Sequence, residues 1–183
     1  MAYKNKLIRN TQIGQDIIFL QTAKDTNGNL LEMEAFYHTF SKEPPPHYHP
    51  YQREDFRVLQ GELSVRINGR CTILKAGDSL QIPPNTTHSM WNGSHSKTVV
   101  NWQVRPAMNT EHFLETATGI ISNRPSNNAC RPSLLQMALI VNSYSRVFRL
   151  SKPTFLLQKI VFGILTPLAY LRGYRPNYKE YID

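Results

Sequence analysis

Two cysteines, Cys71 and Cys130, are all the thiol chemistry this 183-residue chain has. They are too few and too far apart for a disulfide framework or a cysteine-rich zinc site. The chain starts on the polar stretch Met1-Ala2-Tyr3-Lys4-Asn5-Lys6, without the apolar core of a secretory signal, so reduced thiols in a cytoplasmic protein are expected. Long apolar runs are missing too. The longest, from Ile160 to Leu165, is soon interrupted by Pro167 and falls well short of the roughly 20 residues that a membrane span needs. There is no phosphate-binding glycine loop, nucleophile elbow or zinc-finger spacing, and no internal repeat. Acid is scarce at one end: residues 121–183 hold nine Lys/Arg against two Asp/Glu, while residues 1–120 hold twelve against eleven. The net charge of +8 therefore belongs to the C-terminal third. The rest lacks the electrostatic footprint of a phosphate-backbone binder, and nucleic acid is not an expected partner.

What is present is a series of short strands separated by turns. Residues 12–20 and 30–40 read as strands, with Asn27-Gly28-Asn29 between them and a clean alternation over Leu31–Ala35. Leu63, Val65 and Ile67 alternate with polar residues, and Asn68-Gly69 is a strong two-residue hairpin signal, because a type I′ turn needs positive φ at both positions. Arg70–Leu74 returns antiparallel, Ala76-Gly77-Asp78 turns, Ser79–Ile82 is a short strand, and Thr98–Val104 is a later one. Many short strands at short spacing argue for an all-β barrel or sandwich.

Three histidines and a glutamate stand out against this pattern. His47 and His49, two apart on a strand, present both imidazoles to one face. Pro46 and its neighbours stiffen the approach, and Pro50 fits a bend. After the bend Glu54 alternates with Phe56 and Val58 on an inward, apolar face, where a charge is expensive unless paired or metal-bound. Pro83-Pro84-Asn85 reads as a turn that delivers His88, with Met90 on the same face. Three imidazoles and a carboxylate suit one divalent transition metal (Fe, Mn, Zn, Ni or Co) with room left for water or substrate. Phe56, Val58 and Met90 form the expected apolar wall beside it, which favours a largely hydrophobic small molecule. His38, His95 and His112 have no matching partners, and Arg53 with Asp55 reads as a surface ion pair.

The spacing His47-x-His49-x4-Glu54-x6-Gly61 resembles the first motif of the cupin superfamily, and Gly77-x5-Pro83-x-Asn85-x2-His88-x3-Asn92 resembles the second. Asn85 departs from the usual glycine, but asparagine tolerates a left-handed conformation. The resemblance covers roughly residues 45–105. It implies a mainly β fold, a double-stranded β-helix (jelly-roll barrel), with His47, His49, Glu54 and His88 as metal ligands. The family spans dioxygenases, isomerases, decarboxylases, sugar-binding domains and storage proteins, so it gives a site rather than a reaction. A metal-dependent oxygenase or isomerase and a non-catalytic ligand- or metal-binding module both remain open, and a homodimer is implied.

Beyond Arg105-Pro106 the pattern changes. A short helix is expected near 109–116, a linker over 116–131, and a helical extension over 132–183 behind a barrel of 1–115. Pro132 fits a first helical turn, followed by an apolar stripe at Leu134, Leu135, Ala138, Leu139 and Val141. A second helix starts near Pro153, with Leu157, Ile160, Val161, Ile164, Leu165 and Leu168 at helical spacing. Pro167 is expected to kink or end it. This extension can pack on the barrel or across a dimer, form a lid over the barrel mouth, or lie on an anionic membrane surface.

Overall fold

Alternating burial marks the strands of the barrel wall in the computed structural model of the protein, which describes residues 2–122 and 133–182. Leu31, Met33, Ala35 and Tyr37 are buried while Glu32, Glu34 and Phe36 are only partly covered. The first sheet joins β1 (Leu7–Asn10), β2 (Gln15–Gln21), β3 (Leu31–Tyr37), β5 (Arg53–Gln60), β8 (Ser79–Ile82) and β10 (Thr98–Arg105) in the order β1-β2-β3-β10-β5-β8. The second joins β4 (His47–Tyr48), β6 (Glu62–Ile67), β7 (Arg70–Lys75), β9 (His88–Trp91) and β11 (Arg149–Leu150) in the order β11-β4-β9-β6-β7. The described pairings are antiparallel. The chain crosses repeatedly between the sheets, and their inner faces meet in one core around Phe19, Leu31, Met33, Leu63, Val100 and Val104. This is a double-stranded β-helix.

The turns explain the motif residues. Asn68 and Gly69 both take positive φ, 48° and 87°, as the β6–β7 hairpin requires. Asn85 sits at φ 63°, the left-handed conformation in which asparagine replaces glycine at little strain. Its side-chain amide reaches the Pro50 carbonyl at 3.3 Å, tying the two histidine-bearing loops together. Gly61, at φ 78°, is crowded as well: a Cβ there would lie 2.7 Å from the Lys97 carbonyl oxygen. Asn92 is fully buried and ties the segment after β9 to β3's end, donating to the carbonyls of His38 (3.0 Å) and Ser96 (2.7 Å).

Four helices follow among the described residues: α1 (Thr110–Ser122), α2 (Leu134–Ser143), α3 (Phe155–Leu171) and α4 (Lys179–Ile182). The helix expected near 109–116 thus continues to Ser122 and runs through the expected boundary at 115. Its buried residues are mostly polar (Thr110, Glu111, Glu115, Thr116 and Thr118 besides Ile120), while its apolar residues Phe113, Leu114, Ala117 and Ile121 line a cavity. The two glutamates are paired: Glu115 binds Lys6 at 2.5 Å, and Glu111 accepts from the Ala23 amide at 2.9 Å. The remainder of the linker, with Cys130, and Pro132 lie outside the described residues. Ser133 caps α2 by accepting from the Gln136 amide at 3.2 Å.

Two features of α3 bear on its reading. The helix passes through Pro167 and continues to Leu171. The stripe of Leu157, Ile160, Val161, Ile164 and Leu168, read as a packing face, is exposed, and Gln158 and Ala169 are the buried residues. Gln158 is held inside by hydrogen bonds to the carbonyls of Leu150 (2.8 Å) and Pro153 (2.6 Å), so a polar side chain docks the helix. No helix among the described residues is long and apolar enough to cross a membrane.

Candidate metal centre

Strand pairing brings the imidazoles together. β4 and β9 are neighbours, and His47 stands directly opposite His88. His49 follows β4 just before the bend at Pro50. Glu54 arrives from β5 in the opposite sheet, 1% exposed, in line with inward Phe56 and Val58. One ring nitrogen from each of His47, His49 and His88 lies within 4.8 Å of the others, a grouping that can hold a metal ion. Glu54 meets two of the three: its Oε2 is 3.3 Å from His49 Nε2 and 2.9 Å from His88 Nε2.

The orientation of the rings is set by the backbone. Nδ1 of His47 lies 3.1 Å from the Pro45 carbonyl, Nδ1 of His88 lies 2.9 Å from the Thr86 carbonyl, and Nδ1 of His49 makes a short hydrogen bond to the Val147 carbonyl. A carbonyl only accepts, so each Nδ1 carries a proton; Nε2 of His47 and of His49 keeps its lone pair for a metal, while Nε2 of His88 faces Glu54 and would shed a proton on ligation. Trp102 donates its indole N–H to Glu54 Oε1 at 2.9 Å, leaving Oε2 turned towards the histidines. His49 Nε2 and Glu54 Oε2 are buried without a well-formed hydrogen bond. Orphaned buried donor atoms of this kind are what a bound cation would satisfy.

Electrostatics sharpen the site. Burial, then the neighbouring imidazoles, push His47 below its ordinary value, and burial likewise lowers His49. Both stay neutral, as metal ligation requires. Burial alone would raise Glu54, but His49, His88 and His47 outweigh it and bring the carboxyl down to about 2. Burial opposes the proton on His88, yet the Glu54 carboxylate 2.9 Å from its Nε2 more than compensates, and its pKa rises. Burial and the nearby Glu54 charge push the Tyr37 phenol up, so it remains a neutral hydroxyl.

These groups open into a cavity of about 750 Å³. Phe56 and Met90 line it, and Val58 sits one inward position further along β5, in the core. Among the described residues, neither Lys, Arg nor Asp lines the cavity, and its walls are mainly aliphatic and aromatic. Three features went unread in the sequence. Trp102, on the expected strand Thr98–Val104, is the partner of Glu54. Phe148 stacks on His47 with ring centroids 4.8 Å apart, and on Phe113 of α1 at 4.7 Å. β11 pairs with β4, Leu150 opposite His47, and Phe113, Leu114, Leu134 and Met137 of α1 and α2 complete the wall. The extension therefore builds part of the site. Only the aromatic character of Phe148 beside a β-forming stretch could have hinted at this. Outside the site, Arg53 pairs with Asp55 at 3.1 Å and His38 with Asp16 at 3.3 Å.

Comparison with known proteins agrees with this geometry. Residues 37–103 match the family model described as the cupin domain. Among curated proteins, the chain is 45% identical over 51 residues to oxidoreductase macE of Penicillium terrestre, covering 27% of this chain and 20% of the relative. It is 28% identical over 150 residues to the probable oxidoreductase virH of Hypocrea virens, covering 75% of this chain and 67% of the relative. It is 41% identical over 49 residues to quercetin 2,3-dioxygenase of Bacillus subtilis, covering 27% and 14%. The chain thus spans only about a fifth of the length of some of these relatives and two thirds at most. Among solved structures, an RmlC-like cupin of Shewanella frigidimarina superposes with a TM-score of 0.50 at 20% identity, covering 58% of this chain and 88% of that one.

Proposed function

We propose that this chain, whose residues 37–103 match the cupin domain, is a metal-dependent oxidoreductase of the dioxygenase kind, acting on a small, largely apolar organic molecule. The observation that carries this reading is the placement of the His47, His49 and His88 cluster inside an apolar cavity of about 750 Å³. His47, His49, Glu54 and His88 would hold one divalent transition metal, Fe, Mn, Zn or Ni. Bound there, the metal would supply Lewis acidity and, if redox-active, access to O₂ chemistry. The protein's own part is to orient and exclude. Pro45, Thr86 and Val147 fix the imidazole tautomers, Trp102 fixes the carboxylate, and the walls displace water from a bound substrate. Phe56, Phe113, Trp102 and Phe148 in the wall favour an aromatic substrate. The names of the relatives, oxidoreductases and a quercetin dioxygenase, point the same way.

The test is elemental analysis of the purified protein, then O₂ uptake with a panel of aromatic and enolic compounds, quercetin included. Stoichiometric metal and substrate-dependent uptake that His49→Ala abolishes is the expected result. A fully metallated protein that consumes no O₂ with any of them would shift the reading to a non-catalytic small-ligand module.

A further inference from the structure

α3 wears its apolar side outward. Its buried residues are Gln158 and Ala169, and the opposite side carries Leu156, Leu157, Ile160, Ile164, Leu168 and Leu171. Of these, Leu156 is 69%, Ile164 62% and Leu171 83% exposed. No polar side chain interrupts the stripe, whose remaining positions are Val161, Gly163 and Pro167. At 3.6 residues per turn, Lys159 falls on one edge of the stripe and Arg172, just past the helix end, on the other. Lys152 and Arg175 add exposed cations beyond either end. Between Glu115 and Glu180 the sequence contains no acidic residue at all.

A contiguous apolar stripe of this kind requires cover, unlike scattered surface leucines. A second copy laid on the same stripe would bring Lys159 and Arg172 of both chains to one apolar seam, with no carboxylate from this segment to pair them. An anionic lipid surface offers apolar depth and counter-charge together. With 17 residues, the helix is about 25 Å long and suits lying in an interface rather than crossing it. We propose that α3 docks on the surface of an anionic bilayer, its axis in the plane, with Leu156, Ile160, Ile164 and Leu171 in the acyl boundary. Lys159 and Arg172 reach back along the rim to the head groups, as long basic side chains do.

The full-length protein is sedimented with vesicles of phosphatidylcholine alone and of phosphatidylcholine with phosphatidylserine. It should pellet with the second, and salt near 1 M, where the Debye length is about 3 Å, should release it. Ile160→Asp with Ile164→Asp, both exposed, should abolish pelleting while leaving the melting temperature and metal content unchanged. Lys159→Glu and Arg172→Glu should each weaken binding at least about fivefold. The proposal is overturned by any of three results: no pelleting with anionic vesicles, undiminished pelleting of the Asp variants, or a concentration-dependent dimer that those variants dissolve while wild type ignores vesicles.

Discussion

His88 and Glu54 are opposed in sign and titrate in opposite directions, which gives the metal centre a definite pH behaviour. Glu54 is lowered to about 2, so its contribution to the metal-free fold is present above the ordinary carboxylate range and is lost as pH falls through the folded value. His88 is raised, so its contribution is complete below the ordinary imidazole value and is lost as pH rises through the higher folded one. Metal must displace the His88 proton. Affinity should therefore climb with pH and level off above the raised His88 value, with close to one proton released per metal just below it. Titration calorimetry in buffers of different ionisation enthalpy reads that number directly. His49→Ala removes a ligand and should leave the purified protein with little metal by elemental analysis. Trp102→Phe keeps an aromatic ring against Phe56 but frees Glu54 Oε1, and should weaken metal binding about 10–100-fold with the fold intact. At Gly61 even a methyl group collides with the Lys97 carbonyl at positive φ, so Gly61→Ala should cost more than about 1 kcal/mol in a denaturant titration. Asn85→Gly should be tolerated to within about 1 kcal/mol, since glycine takes the same φ and only a 3.3 Å hydrogen bond is lost.

Among the elements, period-two strands were far more legible than helices. β3, β6 and β10 alternate because one face of each is core, and the signal survives in any sequence with a solvated outer face. α1 was half hidden because its buried face is built largely from Glu111, Glu115 and three threonines, and the partners of the two glutamates come from 88 and 109 positions away. α3 was legible as a helix but misleading about its face: the apolar stripe that normally marks burial points to solvent, and Gln158 points in. β11 is two residues long and carries no pattern at all; its position depends on β4 offering an edge. Phe148, immediately before it, stacks on His47 and is half-buried. Phe148→Ala should cost about 2 kcal/mol, below the range for a fully buried phenylalanine. It should also change the substrate range more than the metal content. Comparing melting temperature, bound metal and turnover in one variant separates those effects.

At the level of the whole molecule, the four predicted ligand residues converge from two sheets, and the barrel that holds them was foreseeable from motif spacing. What spacing could not carry was the role of the chain beyond Arg105, because cavity walls are made by tertiary proximity and leave no local periodicity. The cavity itself gives a measurement that does not depend on turnover: a neutral aromatic ligand at 100 times its dissociation constant should stabilise the fold by about 2.7 kcal/mol, visible as a rise in melting temperature. The short bond from His49 to the Val147 carbonyl spans 98 positions of sequence. During synthesis every imidazole of the cluster emerges long before the carbonyl that orients His49. The orientation of His49 is therefore completed only once the last third of the chain has arrived.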